Sequence, residues 1–241
     1  MTSVSFKPQQ RRQSVTLRRA KQESQRDSRR DIAVRALNGA VAGVGLILAL
    51  PLMLAIAILI KLTSRGPVFF TQTRIGIDRR LSTAPSGNRR RRTDSGGKAF
   101  TIYKFRTMRH VNGDREAEVW ASPEDPRVTE IGRVLRKYRM DELPQLLNVL
   151  RGDMSIVGPR PEQPAIFADM RRQVPRYADR QQVPPGITGW AQVRHHYGGS
   201  LDDVRTKLKY DLQYIAQRSA MEDLRIMMRT VPVVLFQRGA W

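Results

Sequence analysis

From Ala36 to Ile60 the chain carries no charge, and from Ala40 onward every position is Ala, Val, Gly, Leu, Ile, Met or Pro. A run of that length is enough to cross a bilayer, which takes about 20 apolar residues. A helix apolar on all sides for so long is rarely the core helix of a soluble domain. Pro51 falls near its middle, where a proline removes a backbone hydrogen bond and breaks or kinks the helix at Leu50. Charge returns at both ends: Arg35 and a basic tail before the run; Lys61, Arg65, Arg74, Arg79 and Arg80 after it. Basic flanks stay on the cytoplasmic side. The pattern therefore predicts a re-entrant helix–break–helix over 36–62 that dips into one leaflet and returns, with a straight span as the alternative.

Beyond this run the hydrophobic period shortens. Ser64-Arg65-Gly66-Pro67 is a turn, Val68 to Gln72 reads as extended, and Phe100 to Phe105 as a short strand. Ile131, Val134, Leu135 and Tyr138 form one face of a helix over about Glu130–Tyr138. Leu143, Leu146, Leu147 and Leu150 predict a second helix, with Pro144 tolerated in its first turn and Gly152 at its C-terminal end. Ala165 to Arg176 reads as helix. Leu201, Val204, Leu208, Leu212 and Ile215 make Leu201–Gln217 amphipathic, with Lys207, Lys209, Tyr210 and Tyr214 suited to a lipid interface. Ser219 and Glu222 form a capping-box pattern for a last helix, whose Leu224, Met227, Met228 and Val231 are read as core. The fold class is α/β, a helix-rich α+β domain over 63–241 behind the apolar element. No internal repeat is visible.

Composition narrows the partners. The 241 residues suit one domain with appendages. A net charge of +21, from 43 basic and 22 acidic residues, calls for an anionic partner: nucleic acid, a phosphate-rich substrate or anionic membrane lipids. Residues 1–35, with ten basic and three acidic side chains and few apolar ones, read as a disordered basic tail lying beside the membrane element. Residues 78–97, rich in Ser, Thr, Gly and Arg, read as a flexible basic insertion. The chain has no cysteine, so neither a disulfide nor a thiolate metal site. Its three histidines, with only His195 and His196 adjacent, argue against a histidine-based metal site. No basic platform interleaved with aromatics and no groove-reading motif is present, so nucleic acid is not an expected partner. The apolar run begins too deep in the chain, and lacks the small-residue cleavage site, for a cleaved signal peptide.

The chemistry concentrates at Asp141-Glu142. Adjacent carboxylates opening a helix, with Arg136, Lys137 and Arg139 just before them, suit a site that handles phosphate, since a helix N-terminus gathers anions. On the dipeptide alone a structural N-cap is the simpler reading. Lys104 and Arg106, flanking Phe105 at a strand end, form a second basic pair that either meets a pyrophosphate or, as is commoner for such residues alone, is surface charge.

The run Arg136-Lys137 to Asp141-Glu142-Leu143-Pro144-Gln145-Leu146, continued by Gly152-Asp153-Met154-Ser155-Ile156-Val157-Gly158-Pro159-Arg160-Pro161, resembles the bacterial sugar transferase family. These are monotopic polyprenyl-phosphate phosphoglycosyl transferases. Lys104-Phe105-Arg106-Thr107-Met108 and Pro185-Gly186-Ile187-Thr188-Gly189-Trp190-Ala191-Gln192-Val193 extend the likeness, which covers roughly Ala36 to Phe236. The resemblance implies a compact catalytic domain on the cytoplasmic face of the bacterial inner membrane. It implies transfer of a sugar-1-phosphate from a UDP-sugar to undecaprenyl phosphate with release of UMP, the initiating step of exopolysaccharide, capsule or O-antigen assembly. Onto this chain it carries Asp141 as nucleophile, Glu142 as ligand of Mg²⁺, and Lys104, Arg106, Arg136 and Arg160 as phosphate-binding cations. Asp153 and Asp211 are further positions, either substrate-contacting or structural, and Trp190 lies in a loop at the substrate side. Two features depart from the pattern. The family has Ser before the membrane proline where this chain has Leu50, and a short turn where it has residues 78–97. Two rival readings stand beside this one: a glycosyltransferase that moves the bare sugar and releases UDP, and a polybasic membrane scaffold without enzymatic activity.

Overall fold

The computed structural model describes residues 7–78, 96–109, 125–195 and 200–235, with side chains described from residue 29 to residue 234. Helix α1 runs Lys7–Thr63. Where a disordered tail over 1–35 is expected, the backbone is helical from Lys7 on, and residues 1–6 lie outside the described residues. Once a long apolar helix is nucleated, adding a residue costs little, and the Gln, Arg, Lys and Glu of the tail are good helix formers. Pro51 sits inside α1 without ending it. The helix forgoes the one hydrogen bond that a proline cannot donate.

One stripe of α1 is buried over its whole apolar length. Val34, Asn38, Ala42, Met53, Ile56 and Ile60 are each under 9% exposed, and Leu46 and Ala49 pack between them. These spacings of three and four trace a single helical face. The opposite face leaves Ile47, Leu48, Leu54 and Leu62 exposed. Thus α1 lies along the domain rather than leaving it.

Strands β1 (Phe69–Ile75) and β2 (Ala99–Phe105) pair antiparallel, from Phe69 opposite Phe105 to Ile75 opposite Ala99. Beyond Ile75 the pairing continues through Gly76 N–H to Lys98 O at 2.8 Å and Lys98 N–H to Ile77 O at 3.0 Å. Asp78, Gly96 and Gly97 are buried there. The rest of the expected insertion, 79–95, lies outside the described residues. Helices α2 (Glu130–Lys137) and α3 (Gln145–Leu150) follow. Gly152, at φ +76°, closes α3 as the sequence implies. A second pair, β3 (Ser155–Val157) and β4 (Gly186–Thr188), is parallel. Between its strands lie α4 (Pro164–Gln173) and a 3-10 segment, Tyr177–Gln182. A Cβ on Gly158 would lie 2.5 Å from Pro184 O, and one on Gly186 2.1 Å from Gly158 N. Only glycine at both positions lets these two backbones cross. The chain continues with α5 (Trp190–Arg194), α6 (Leu201–Gln217) and α7 (Ala220–Leu235).

Three expectations change here. Tyr214 of α6 is 2% exposed and Tyr210 packs on the core, so that face of α6 points inward rather than to lipid. On α7, Met227 packs on the core as expected, but Leu224, Met228 and Val231 are exposed and Ile226 is the fully buried residue. Trp190 is buried at the start of α5, between the guanidinium groups of Arg194 and Arg229 at 4.5 and 5.0 Å. Ser219 does accept from Glu222 N–H as a helix cap, whereas the Glu222 carboxylate turns to Arg225.

The polar tie that docks α1 was not foreseen. Asn38 Oδ1 accepts the Ile156 amide at 2.5 Å, and its Nδ2 donates to Asp223 Oδ2 at 2.9 Å. Tyr214 donates to Asp223 Oδ1 at 2.8 Å. One buried amide thereby joins α1, β3, α6 and α7.

Candidate active site

The dyad lies in a 3-10 turn, Met140–Glu142, just ahead of α3. Pro144 explains this: an α-helix from Met140 needs the N–H of residue 144, which proline lacks, so Leu143 N–H bonds Met140 O at 3.3 Å instead. Asp141 is therefore not a helix cap; the cap position is Arg139, in the left-handed conformation at φ 54°. Both carboxylates are buried, at 8% and 6% exposure.

Two strand ends bring cations to them. Lys104, near the end of β2, places Nζ 2.8 Å from Glu142 Oε1 and 3.8 Å from Asp141 Oδ2. Arg160, three residues past β3, donates from Nη2 to the same Glu142 Oε1 at 2.8 Å. Asn148 steadies the first of these. Its Nδ2 donates to Thr101 O at 2.7 Å and its Oδ1 accepts Tyr103 N–H at 3.2 Å, so that it pairs with β2 in place of a third strand. Arg136, half-buried in the last turn of α2, is near enough for its charge to favour ionised Asp141.

The two carboxylates are not equivalent. Burial raises Asp141 above the ordinary carboxylate value; Lys104 pulls against this and the charge of Glu142 adds to it. Burial also acts to raise Glu142, but the Arg160 and Lys104 charges override it and hold the group well below the usual range. Glu142 is a fixed anion, whereas Asp141 is desolvated and only loosely partnered.

The other expected site residues separate. Arg106 does not face the dyad: it donates to Ser64 O at 2.8 Å, Ser64 Oγ at 2.7 Å and Arg65 O at 2.9 Å. It caps carbonyls just past the end of α1, where a helix leaves such groups unpaired. Asp153 turns to Lys98 at 3.0 Å. Asp211 is buried and paired with Arg180 at 2.8 Å. His195 meets Asp203 at 3.0 Å, and His196 lies outside the described residues. Among the described residues no three His, Asp or Glu side chains gather as a metal cage. Asn38, Asn148 and Arg180 were missed. For the first two the available signal was an amide set among apolar residues of a helix, since an amide buried there must find partners.

Residues 29–237 match the family model for bacterial sugar transferase, and the chain belongs to that family. It is 42% identical over 213 residues to a UDP-glucose:undecaprenyl-phosphate glucose-1-phosphate transferase of Caulobacter vibrioides, covering 88% of this chain and 73% of the relative. It is 44% identical over 190 residues to a UDP-N-acetylgalactosamine-undecaprenyl-phosphate N-acetylgalactosaminephosphotransferase of Aeromonas hydrophila, covering 79% of this chain and 40% of that protein. A UDP-glucose:undecaprenyl-phosphate glucose-1-phosphate transferase of Escherichia coli is 39% identical over 199 residues, covering 82% and 39%. The chain thus spans about two fifths of the length of the last two relatives.

Proposed function

We propose that this protein transfers a sugar-1-phosphate from a UDP-sugar to undecaprenyl phosphate and releases UMP. The observation that carries the mechanism is the unequal partnering of the dyad. Asp141 attacks the sugar-bearing phosphorus; the bond to the UMP oxygen breaks, leaving an acyl-phosphate sugar on the enzyme. An oxygen of undecaprenyl phosphate then attacks the same phosphorus and restores the Asp141 carboxylate. A carboxylate with a raised pKa is the more basic, and the more nucleophilic, of the two. Glu142, fixed by Lys104 and Arg160, holds those cations where the pyrophosphate charge must be met.

The donor set fits Mg²⁺ carried chiefly by substrate. Glu142 Oε2, which makes neither of the cation bonds, would hold it together with phosphate oxygens and water. When bound, the ion would neutralise charge on the pyrophosphate. Full activity in excess EDTA would contradict this.

Two observations support membrane docking of the domain along α1, and the basic flanks of the helix favour the cytoplasmic side. The buried stripe of α1 spans Val34 to Ile60, and its other face is apolar and exposed. Were α1 a straight span, the charged domain packed along it would lie inside the bilayer, where charges are costly. Re-entry or lateral immersion of α1 avoids that cost, and anionic lipids suit its basic flanks.

The test is mass spectrometry of enzyme mixed with UDP-glucose or UDP-N-acetylgalactosamine alone, together with initial-rate kinetics on adding undecaprenyl phosphate. A sugar-phosphate adduct on Asp141, parallel ping-pong lines and released UMP are expected. Released UDP would make it a glycosyltransferase. Intersecting lines without an adduct would overturn the two-step route.

A further inference from the structure

Arg160 stands between two prolines, Pro159 and Pro161, so its immediate neighbours offer no N–H with which to anchor this stretch. The carbonyls are the remaining backbone handles here: Gly186 N–H holds Pro159 O at 2.9 Å, and arginines hold the next two in succession. Arg180 Nη2 donates to Arg160 O at 3.1 Å, and Arg74 Nη1 donates to Pro161 O at 3.2 Å. The next residue is tied by its backbone: Ile75 N–H donates to Glu162 O at 3.0 Å.

Arg180 is itself immobilised. Its side chain is 6% exposed, and the same Nη2 lies 2.8 Å from Asp211 Oδ2. Its Nη1 donates to the Tyr177 hydroxyl at 2.7 Å and reaches Glu162 Oε1 at 3.4 Å. The guanidinium stacks 5.0 Å from the Tyr177 ring centre. A buried ion pair of this kind is a weak source of net stability, but it can specify a geometry. What it specifies is the backbone from which the Arg160 side chain reaches Glu142.

We infer that Arg180, oriented by Asp211, is a positioning residue for Arg160: it grips the Arg160 carbonyl so that the guanidinium meets Glu142 Oε1. This extends the transferase reading and rests on it for its kinetic arm. It also gives Asp211 a role two steps behind the substrate rather than in contact with it.

The experiment is a double-mutant cycle on the full-length protein in nanodiscs, using the UDP-sugar it turns over and undecaprenyl phosphate. Arg180→Lys keeps the charge and loses the fork that serves Arg160 and Asp211 together. It should lower kcat/KM by about tenfold or more in the native background, yet change it by less than about twofold in an Arg160→Gln background, because the interaction it acts through is already gone. Equal losses in the two backgrounds would overturn the inference, whatever the thermal stability does. A second measurement is independent of turnover. Hydrogen exchange of the Gly158, Arg160 and Glu162 amides should accelerate in Arg180→Lys and Asp211→Asn, with the amides of α2 unchanged. Unchanged exchange at 158–162 would overturn the inference even if no UDP-sugar proved to be a substrate. The failure of the transferase reading and the failure of this one are therefore separable.

Discussion

The molecule contains two buried clusters made from the same parts. Around Glu142, two cations share one carboxylate oxygen at 2.8 Å each, and the neighbouring Asp141 is left with a lysine at 3.8 Å. Around Asp211, a single arginine is enclosed by a carboxylate, a tyrosine hydroxyl, a glutamate and a backbone carbonyl. The second cluster closes on itself and serves as a strut, although Arg180 Nε and Asp211 Oδ2 are left without a well-formed hydrogen bond. The first concentrates positive charge beyond what Glu142 neutralises and keeps one carboxylate desolvated and under-partnered. Burial and a raised carboxyl are common to both; what differs is that Asp141 faces its cation at 3.8 Å and Asp211 at 2.8 Å.

The sharpest way to break this comparison is Asp141→Asn. It should lower kcat by about 10³-fold or more while the protein stays folded, as loss of a covalent nucleophile does; substantial turnover would remove Asp141 from the reaction. Arg160→Ala should cost about 10²-fold, the scale of one lost electrostatic partner in a desolvated site, with Arg160→Lys between it and wild type.

The pH profile sharpens the contrast. Because burial raises Asp141, turnover should fall on the acid side as the carboxyl protonates, and the limb should lie above the ordinary aspartate value of about 4. Lys104 is the largest charge holding that value down, so Lys104→Met should move the limb to higher pH. A limb that stays put would mean it reports another group. Asp211→Asn should leave the limb in place and act on rate alone.

Smaller effects are expected in stability and topology. Asn38→Leu leaves the Ile156 amide and the Asp223 carboxylate short of a partner, and should destabilise the protein by about 1–3 kcal/mol, read as a lower Tm. Since the chain has no cysteine, single cysteines at Ser3 and Ser64, before and after the apolar run, report topology cleanly. Both should react from the cytoplasmic side, and a cysteine at Ser3 that reacts only from the periplasm would restore the straight span.

Much of this was legible in the chain. The apolar run, the boundaries of α6 at Leu201–Gln217, β2 to within one residue and the glycine stop after α3 follow from local periodicity and turn chemistry. Those forces act within one or two helical turns and leave their mark in the sequence. The short strands β3 and β4 left little mark, because three residues carry too little pattern. The face of α7 was misjudged because an apolar stripe has the same spacing whether protein or lipid covers it.

By itself, then, the sequence determined that a dyad, a set of arginines and a long apolar helix exist, and in what order. Only the tertiary structure decided their roles. Lys104 and Arg160 reach Glu142 from 38 and 18 residues away, while Arg106, two residues from Lys104, turns to the end of α1. Charge coupling and desolvation depend on distance in space and on what excludes water, and neither is written in the spacing of residues along a chain.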